Sequence, residues 1–171
     1  MSETNDDVKA SVHHSVVSLL NGKVGLGPLP ALSDLNSLTS CGVTHLVTLQ
    51  TEDEMEAGLQ TAMLDASLKW LWMPLHIRTP LAEAEQAYLQ QYLISFKKIL
   101  NQSSFLYVHC DSNCKRSLLL VLAFCHYQGL SAGDSYRLIH RLDAPRCRHL
   151  TQSERRWAEQ LGESAKLSRQ L

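Results

Sequence analysis

Residues 105–124 confine this chain to few folds. Phe105, Leu106, Tyr107 and Val108 form an apolar, aromatic and β-branched run with the composition of a buried strand, and a second apolar run, 118–124, has that of a buried helix. Between them stands the polar stretch His-Cys-Asp-Ser-Asn-Cys-Lys-Arg-Ser, residues 109–117. A buried strand that passes through a polar turn into a buried helix is the repeating unit of parallel sheets covered on both faces.

The remainder of the chain repeats that alternation. Val16 and Val17 lead into a short strand, and Asn21-Gly22 signals a hairpin turn before a strand over 23–26. Ser33 or Asp34 caps a helix to about Cys41, Gly42 closes it, and a strand follows over 43–49. Residues 51–65 read as one helix whose early acids Glu52, Asp53, Glu54 and Glu56 face the positive end of its dipole. A strand over 68–75 carries Trp70 and Trp72. Thr79-Pro80 starts a helix to about Asn101, with Tyr88, Tyr92, Phe96 and Ile99 as its core stripe. Gly129 closes the helix after the polar stretch, Ser131 opens another to about Leu142, and Thr151 with Glu154 makes a capping box for the last. This order predicts an α/β fold, a central mostly parallel sheet flanked by helices, with its loops at the carboxyl ends of the strands.

A helix that starts near Arg116 aims unpaired N–H groups and the positive end of its dipole at the preceding turn, which makes the turn an anion site. The same field stabilises a thiolate, so Cys110 reads as a nucleophile. Arg116 adds a planar fork for two phosphate oxygens, and Asp111, Ser112, Asn113, Cys114 and Lys115 are enough chain to wrap backbone amides around one tetrahedral anion. Two other readings use the same residues: an inert buried thiol with a surface arginine, and a zinc site from His109, Cys110, Cys114 and Cys147 or His149. Zinc lacks a second closely spaced ligand pair, and His13-His14 reads as an exposed strand start. No metal and no cofactor is expected.

With His109 before it and Ser117 after it, the pattern of Cys, five residues and Arg resembles the signature loop of the cysteine-dependent protein tyrosine phosphatases. Gly27-Pro28-Leu29-Pro30 and the stretch to Leu49 are similar to the compact, atypical dual-specificity branch, so the resemblance spans most of residues 15–160. It implies a tyrosine/dual-specificity phosphatase-like fold and hydrolysis of phosphate monoesters, on a phosphorylated protein or a small phosphate ester. By this resemblance Cys110 attacks phosphorus to give a phosphocysteine, and Arg116 with the amides of residues 111–115 holds the equatorial oxygens. His109 supports the loop and the thiolate, and Ser117 donates to the sulfur as it leaves.

The resembled family carries a general acid, an Asp on a loop roughly thirty residues before the nucleophile. Here that segment reads Met73-Pro74-Leu75-His76-Ile77-Arg78-Thr79-Pro80, without a carboxylate. Three readings stand. His76, Glu83 or Glu85 replaces the acid; or the substrate's leaving group departs without one; or the loop binds phosphate with negligible turnover, as a phosphate-recognition module. Asn113 and Lys115 stand where the family usually has glycine. Asn113 is expected to take positive φ and keep the turn, Lys115 to bring charge to the phosphate, and Asp111 to face outward. Cys114 is a small filler or the partner of Cys110 in a reversible disulfide. Arg137, Arg141, Arg146, Arg148, Arg155 and Arg156 read as a solvated face balanced by Asp134, Asp143, Glu154 and Glu159, or as a docking face for an acidic or phosphorylated partner.

The 171 residues, 44 % hydrophobic, suffice for one core and are too few for two. Residues 1–11 are expected as a flexible polar tail, 12–162 as the domain and 163–171 as a C-terminal tail. A net charge of −1 argues against nucleic acid as the main partner, and the longest apolar run, 118–125, is short of a membrane span. Five cysteines without framework spacing, and no leader before them, point to the cytoplasm.

Overall fold

The computed structural model of the chain describes residues 15–76 and 83–170, without the side chains of residues 83 and 84. The expected tail at 1–11 and the helix start at Thr79-Pro80 lie outside the described residues. A five-stranded sheet runs in the order β1-β2-β5-β3-β4, with β1 (Val16–Leu19) antiparallel to β2 (Gly22–Leu26) and every other pairing parallel. The parallel strands are β2, β3 (His45–Thr48), β4 (Lys69–Trp72) and β5 (Phe105–His109). This is the expected α/β architecture.

Alternation along β5 divides the core in two. Leu106 and Val108 point to the larger cluster, filled by α3 (Glu83–Leu100), α4 (Lys115–Tyr127), α5 (Ala132–Leu142) and α7 (Gln152–Ser168). Tyr107 points to the smaller one, under α1 (Asn36–Ser40) and α2 (Leu59–Asp65). Every residue of α4 from Ser117 to Tyr127 is buried, as befits a helix apolar on all sides and wrapped by its neighbours. The short α6 (Ala144–Cys147) begins beneath an Asp143 cap. Among the described residues no helix is long and apolar enough to cross a membrane.

Several local expectations shift. The hairpin turns one residue early: Leu19 pairs with Gly22, and Leu20 takes φ 54° in the turn. Gly22 is needed for space, because a Cβ there would meet the Ser104 carbonyl oxygen at 2.5 Å. Ser33 and Asp34 belong to a 3₁₀ turn and cap nothing, although Gly42 does take the left-handed conformation, φ 92°. Residues 51–65 are two elements, since Gly58 at φ 87° separates a 3₁₀ turn, Glu52–Glu54, from α2. On α3 the buried stripe is Leu89, Leu93, Phe96 and Leu100. Tyr92 and Ile99 sit at its margin and Tyr88 is exposed, because a tyrosine hydroxyl has to reach a partner; that of Tyr92 donates to the Pro74 carbonyl at 3.2 Å. α7 runs to Ser168, past residue 162, with Ala165 in the core.

Candidate active site

β5 and α4 meet at the polar stretch as the sequence predicts, and the turn lies at the carboxyl end of the central strand. Cys110 is buried at the end of β5, and the Ser117 hydroxyl, in the first turn of α4, donates to its Sγ at 3.2 Å. The two groups meet because helix geometry brings position 117 back over the strand end.

His109 is wholly buried behind the loop. It pairs in register with Thr48 on β3, and its Nε2 lies 2.7 Å from the Thr48 hydroxyl. That hydroxyl also accepts from the Trp70 indole N–H at 2.9 Å. A hydroxyl carries one proton and two lone pairs, so beside the indole donor it can pair with either imidazole tautomer, and Nδ1 lies beside the Cys110 backbone. Nδ1 lacks a partner in hydrogen-bond geometry there. Burial pushes the imidazole down to about 4, so it is neutral near pH 7. The support it gives Cys110 is positional rather than cationic.

Arg116 is held from another part of the chain. Its Nη1 and Nη2 donate to the two carboxylate oxygens of Glu54 at 2.8 and 2.7 Å, and Nη1 lies 3.4 Å from the carbonyls of Leu49 and Leu75. The guanidinium holds the Glu54 carboxyl down at about 2, far below the usual carboxylate range. Glu54 is in turn fixed by its capping box, accepting from the backbone N–H of Thr51 at 2.8 Å. With the end of the fork on Glu54, Nη2 still lies 3.5 Å from the Oδ2 of Asp111 in the loop. Glu54 therefore does more than face a helix dipole.

The loop itself corrects three expectations. The left-handed residue is Cys114, φ 53°, not Asn113. Asp111 stays exposed, yet its carboxylate folds back over the loop: Oδ1 accepts from the Asn113 N–H at 3.0 Å and lies 3.8 Å from the Cys110 Sγ, while Oδ2 is 3.5 Å from Nη2 of Arg116. The Cys114 N–H bonds to the Asp111 carbonyl at 3.2 Å, so two loop amides are engaged within the loop. Lys115 turns away to Glu154 at 2.8 Å. Ser112 presents its carbonyl to Nε of Arg146 at 3.0 Å, and Arg146 is itself paired with Asp143 at 2.8 Å. Cys114 is buried with a thiol pushed up to about 11 by desolvation first, and it is unpaired, as is Cys110. Such a thiol is a slow partner for disulfide exchange.

Of the candidate acids, His76 is exposed and follows Leu75, whose carbonyl faces Arg116, so it leaves the sheet at this site. Residues 77–82 and the Glu83 side chain lie outside the described residues, and Glu85 is half-buried in the first turn of α3. No described hydrogen bond or ion pair joins His76 or Glu85 to the loop. Sequence reading missed Thr48, Trp70, Glu54 and Arg146 as parts of the site; only Glu54 carried a signal, the Thr51-x-x-Glu54 box.

No protein-family model matches the chain, and no curated protein does. Solved structures do. Tk-PTP in its active form matches 90 % of this chain and 97 % of its own, at TM-score 0.65 and 16 % identity. Kinase associated phosphatase, with its catalytic-site cysteine replaced by serine, matches 90 % and 95 %, at TM-score 0.69 and 16 % identity. PTPMT1 in complex with PI(5)P matches 92 % and 99 %, at TM-score 0.67 and 16 % identity. These neighbours are cysteine-dependent tyrosine and dual-specificity phosphatases, and the fold is theirs.

Proposed function

We propose that this chain, built on the tyrosine-phosphatase fold, hydrolyses phosphate monoesters of phosphorylated proteins through a phosphocysteine at Cys110. The observation that carries this reading is the convergence of three groups on the turn after β5. They are a buried Cys110 sulfur, the Ser117 hydroxyl 3.2 Å from it, and the Arg116 guanidinium, held by Glu54 and 3.5 Å from the loop carboxylate of Asp111.

In the first step the Cys110 thiolate attacks phosphorus, an S–P bond forms, the ester P–O bond breaks, and the leaving oxygen takes a proton. Arg116 and the loop amides of residues 111–115 stabilise the equatorial oxygens. Water then attacks phosphorus, the S–P bond breaks, and Ser117 donates to the departing sulfur. Asp111 swings off the Asn113 amide as the substrate arrives, because its carboxylate and the phosphate compete for the same donors. His109, neutral, holds the loop from behind. The proton donor of the first step is atypical, His76, Glu83 or Glu85, or it is absent and the substrate's own leaving group departs unaided. The chain acts in the reducing cytoplasm, where Cys110 stays a thiol.

The test is hydrolysis of a small aryl phosphate across pH by wild type, Cys110→Ser, His76→Ala, Glu83→Gln and Glu85→Gln. Turnover that vanishes with Cys110 is expected. Loss of the basic limb of the profile in one of the other three identifies the acid. No Cys110-dependent turnover, with vanadate still raising the melting temperature, would make the chain a phosphate-recognition module instead.

A further inference from the structure

We infer that His126, Glu159 and Glu163 form a binding site for one divalent transition-metal ion of the zinc class, remote from the Cys110 loop. The site begins with Gly162. A Cβ at that position would overlap the carbonyl oxygen of Ala123 and meet the Cβ of His126 at 2.6 Å, so glycine alone lets α7 press this closely on α4. Glu159 and Glu163, four residues apart, lie on one face of α7 on either side of this contact. The close approach brings His126 up to them, and one donor atom from each of the three side chains lies within 4.8 Å of the others.

His126 is 6 % exposed, yet no described hydrogen bond or ion pair accounts for its ring nitrogens. These nitrogens are not sealed in the core but open on the hollow that Glu159 also lines, so the imidazole lone pair has no described protein partner and is available to a ligand. The two carboxylates repel each other at this spacing, and neither makes a described ion pair. Arg155, which lines the same hollow, lies over the Tyr136 ring at 5.3 Å, and Arg156 makes no described ion pair with Glu159. A dication answers both deficits at once. It takes a lone pair from the imidazole and neutralises two carboxylates.

An imidazole nitrogen among the donors selects zinc, cobalt or nickel over magnesium and calcium, which prefer oxygen alone. Bonds of about 2.0–2.2 Å require the donors to draw closer than they stand. Rotation of Glu163, which is exposed, and of Glu159, which is half-buried, supplies that movement, and water completes the shell. His126 stands eleven residues beyond the start of α4 at Lys115, roughly 16 Å along the helix axis. The ion therefore takes no part in chemistry at Cys110. It ties α7 to the helix whose first turn carries Arg116 and Ser117.

The test uses the full chain with Cys110→Ser, which removes the competing thiolate, after treatment with EDTA. Zn²⁺ is titrated by calorimetry, Co²⁺ by visible absorption, and melting is followed at saturating Zn²⁺. One equivalent of tight binding and a rise of several degrees in Tm are expected, both lost in Glu159→Gln/Glu163→Gln and in His126→Gln. The histidine variant can lose stability of its own. The glutamates lie at the surface, so their double variant keeps the fold and decides the matter. Binding that is absent from the parent, or that survives the glutamate double variant, overturns the site.

Discussion

The loop after β5 has two sides that are held by different forces. The sulfur side is dry: Cys110, His109 and Ser117 are buried, and the relay behind them runs through the buried Thr48 hydroxyl to the part-buried indole of Trp70. The guanidinium side is wetter and charged, Arg116 being fixed by a Glu54 whose side chain is 37 % exposed. Packing and neutral hydrogen bonds in a low-dielectric interior resist salt, whereas a partly exposed ion pair is screened. The sulfur side should therefore report on core stability and the guanidinium side on ionic strength and acid.

Cys110→Ser should have the largest effect, taking aryl phosphatase turnover below detection while leaving the melting temperature nearly unchanged. Arg116→Lys follows: a point charge cannot hold Glu54 with the end of a fork and offer an edge to phosphate, so kcat/KM should fall by about 10²–10³-fold. Glu54→Gln, acting through Arg116, should cost about tenfold, with the deficit growing as salt is lowered. A salt-independent deficit would show that the pair does not position the arginine.

Thr48→Val probes the dry side. It strips the acceptor from Trp70 and the hydroxyl partner from His109, and should destabilise the fold by about 1–3 kcal/mol in urea titrations, with the loss insensitive to salt. Acid separates the two sides as well. His109 titrates at about 4 in the fold against an ordinary 6.5, so the unfolded chain binds its proton first. Stability should fall as pH drops from about 6.5 to about 4, by about 3 kcal/mol, and most of that slope should vanish in His109→Asn. The depressed Glu54 acts lower, between its ordinary 4.5 and about 2. Its contribution is present above pH 4.5 and lost as pH falls towards 2. The smallest effect belongs to Asp111→Asn, which removes a negative charge from the mouth of the loop and should tighten vanadate about three- to tenfold.

Much of this was legible in residue order because it is local. The strand, turn and helix over 105–127, the left-handed Gly42 and Gly129, the Ser131 cap and the Thr151–Glu154 box each depend on neighbours within a few residues, and each stands where the sequence places it. The errors arose where a short-range signal lost to another contact. Asn-Gly signalled the hairpin, but the Ser104 carbonyl needed Gly22 in the strand and pushed Leu20 into the turn. Asn113 was the natural left-handed residue, but its amide is held by Asp111 and Cys114 takes that conformation.

The sequence by itself determined which groups share one strand-to-helix turn: a cysteine and an arginine, close enough to meet one anion because five residues cannot separate them far. Only the tertiary structure decided what holds them. Thr48, Trp70 and Glu54 reach the loop because β3 and β4 run parallel beside β5 and deliver their ends to the same edge. Partners 61 and 62 positions away in the chain leave no pattern in a local window. The same holds for His126 between Glu159 and Glu163, which meet only where a glycine lets two helices touch.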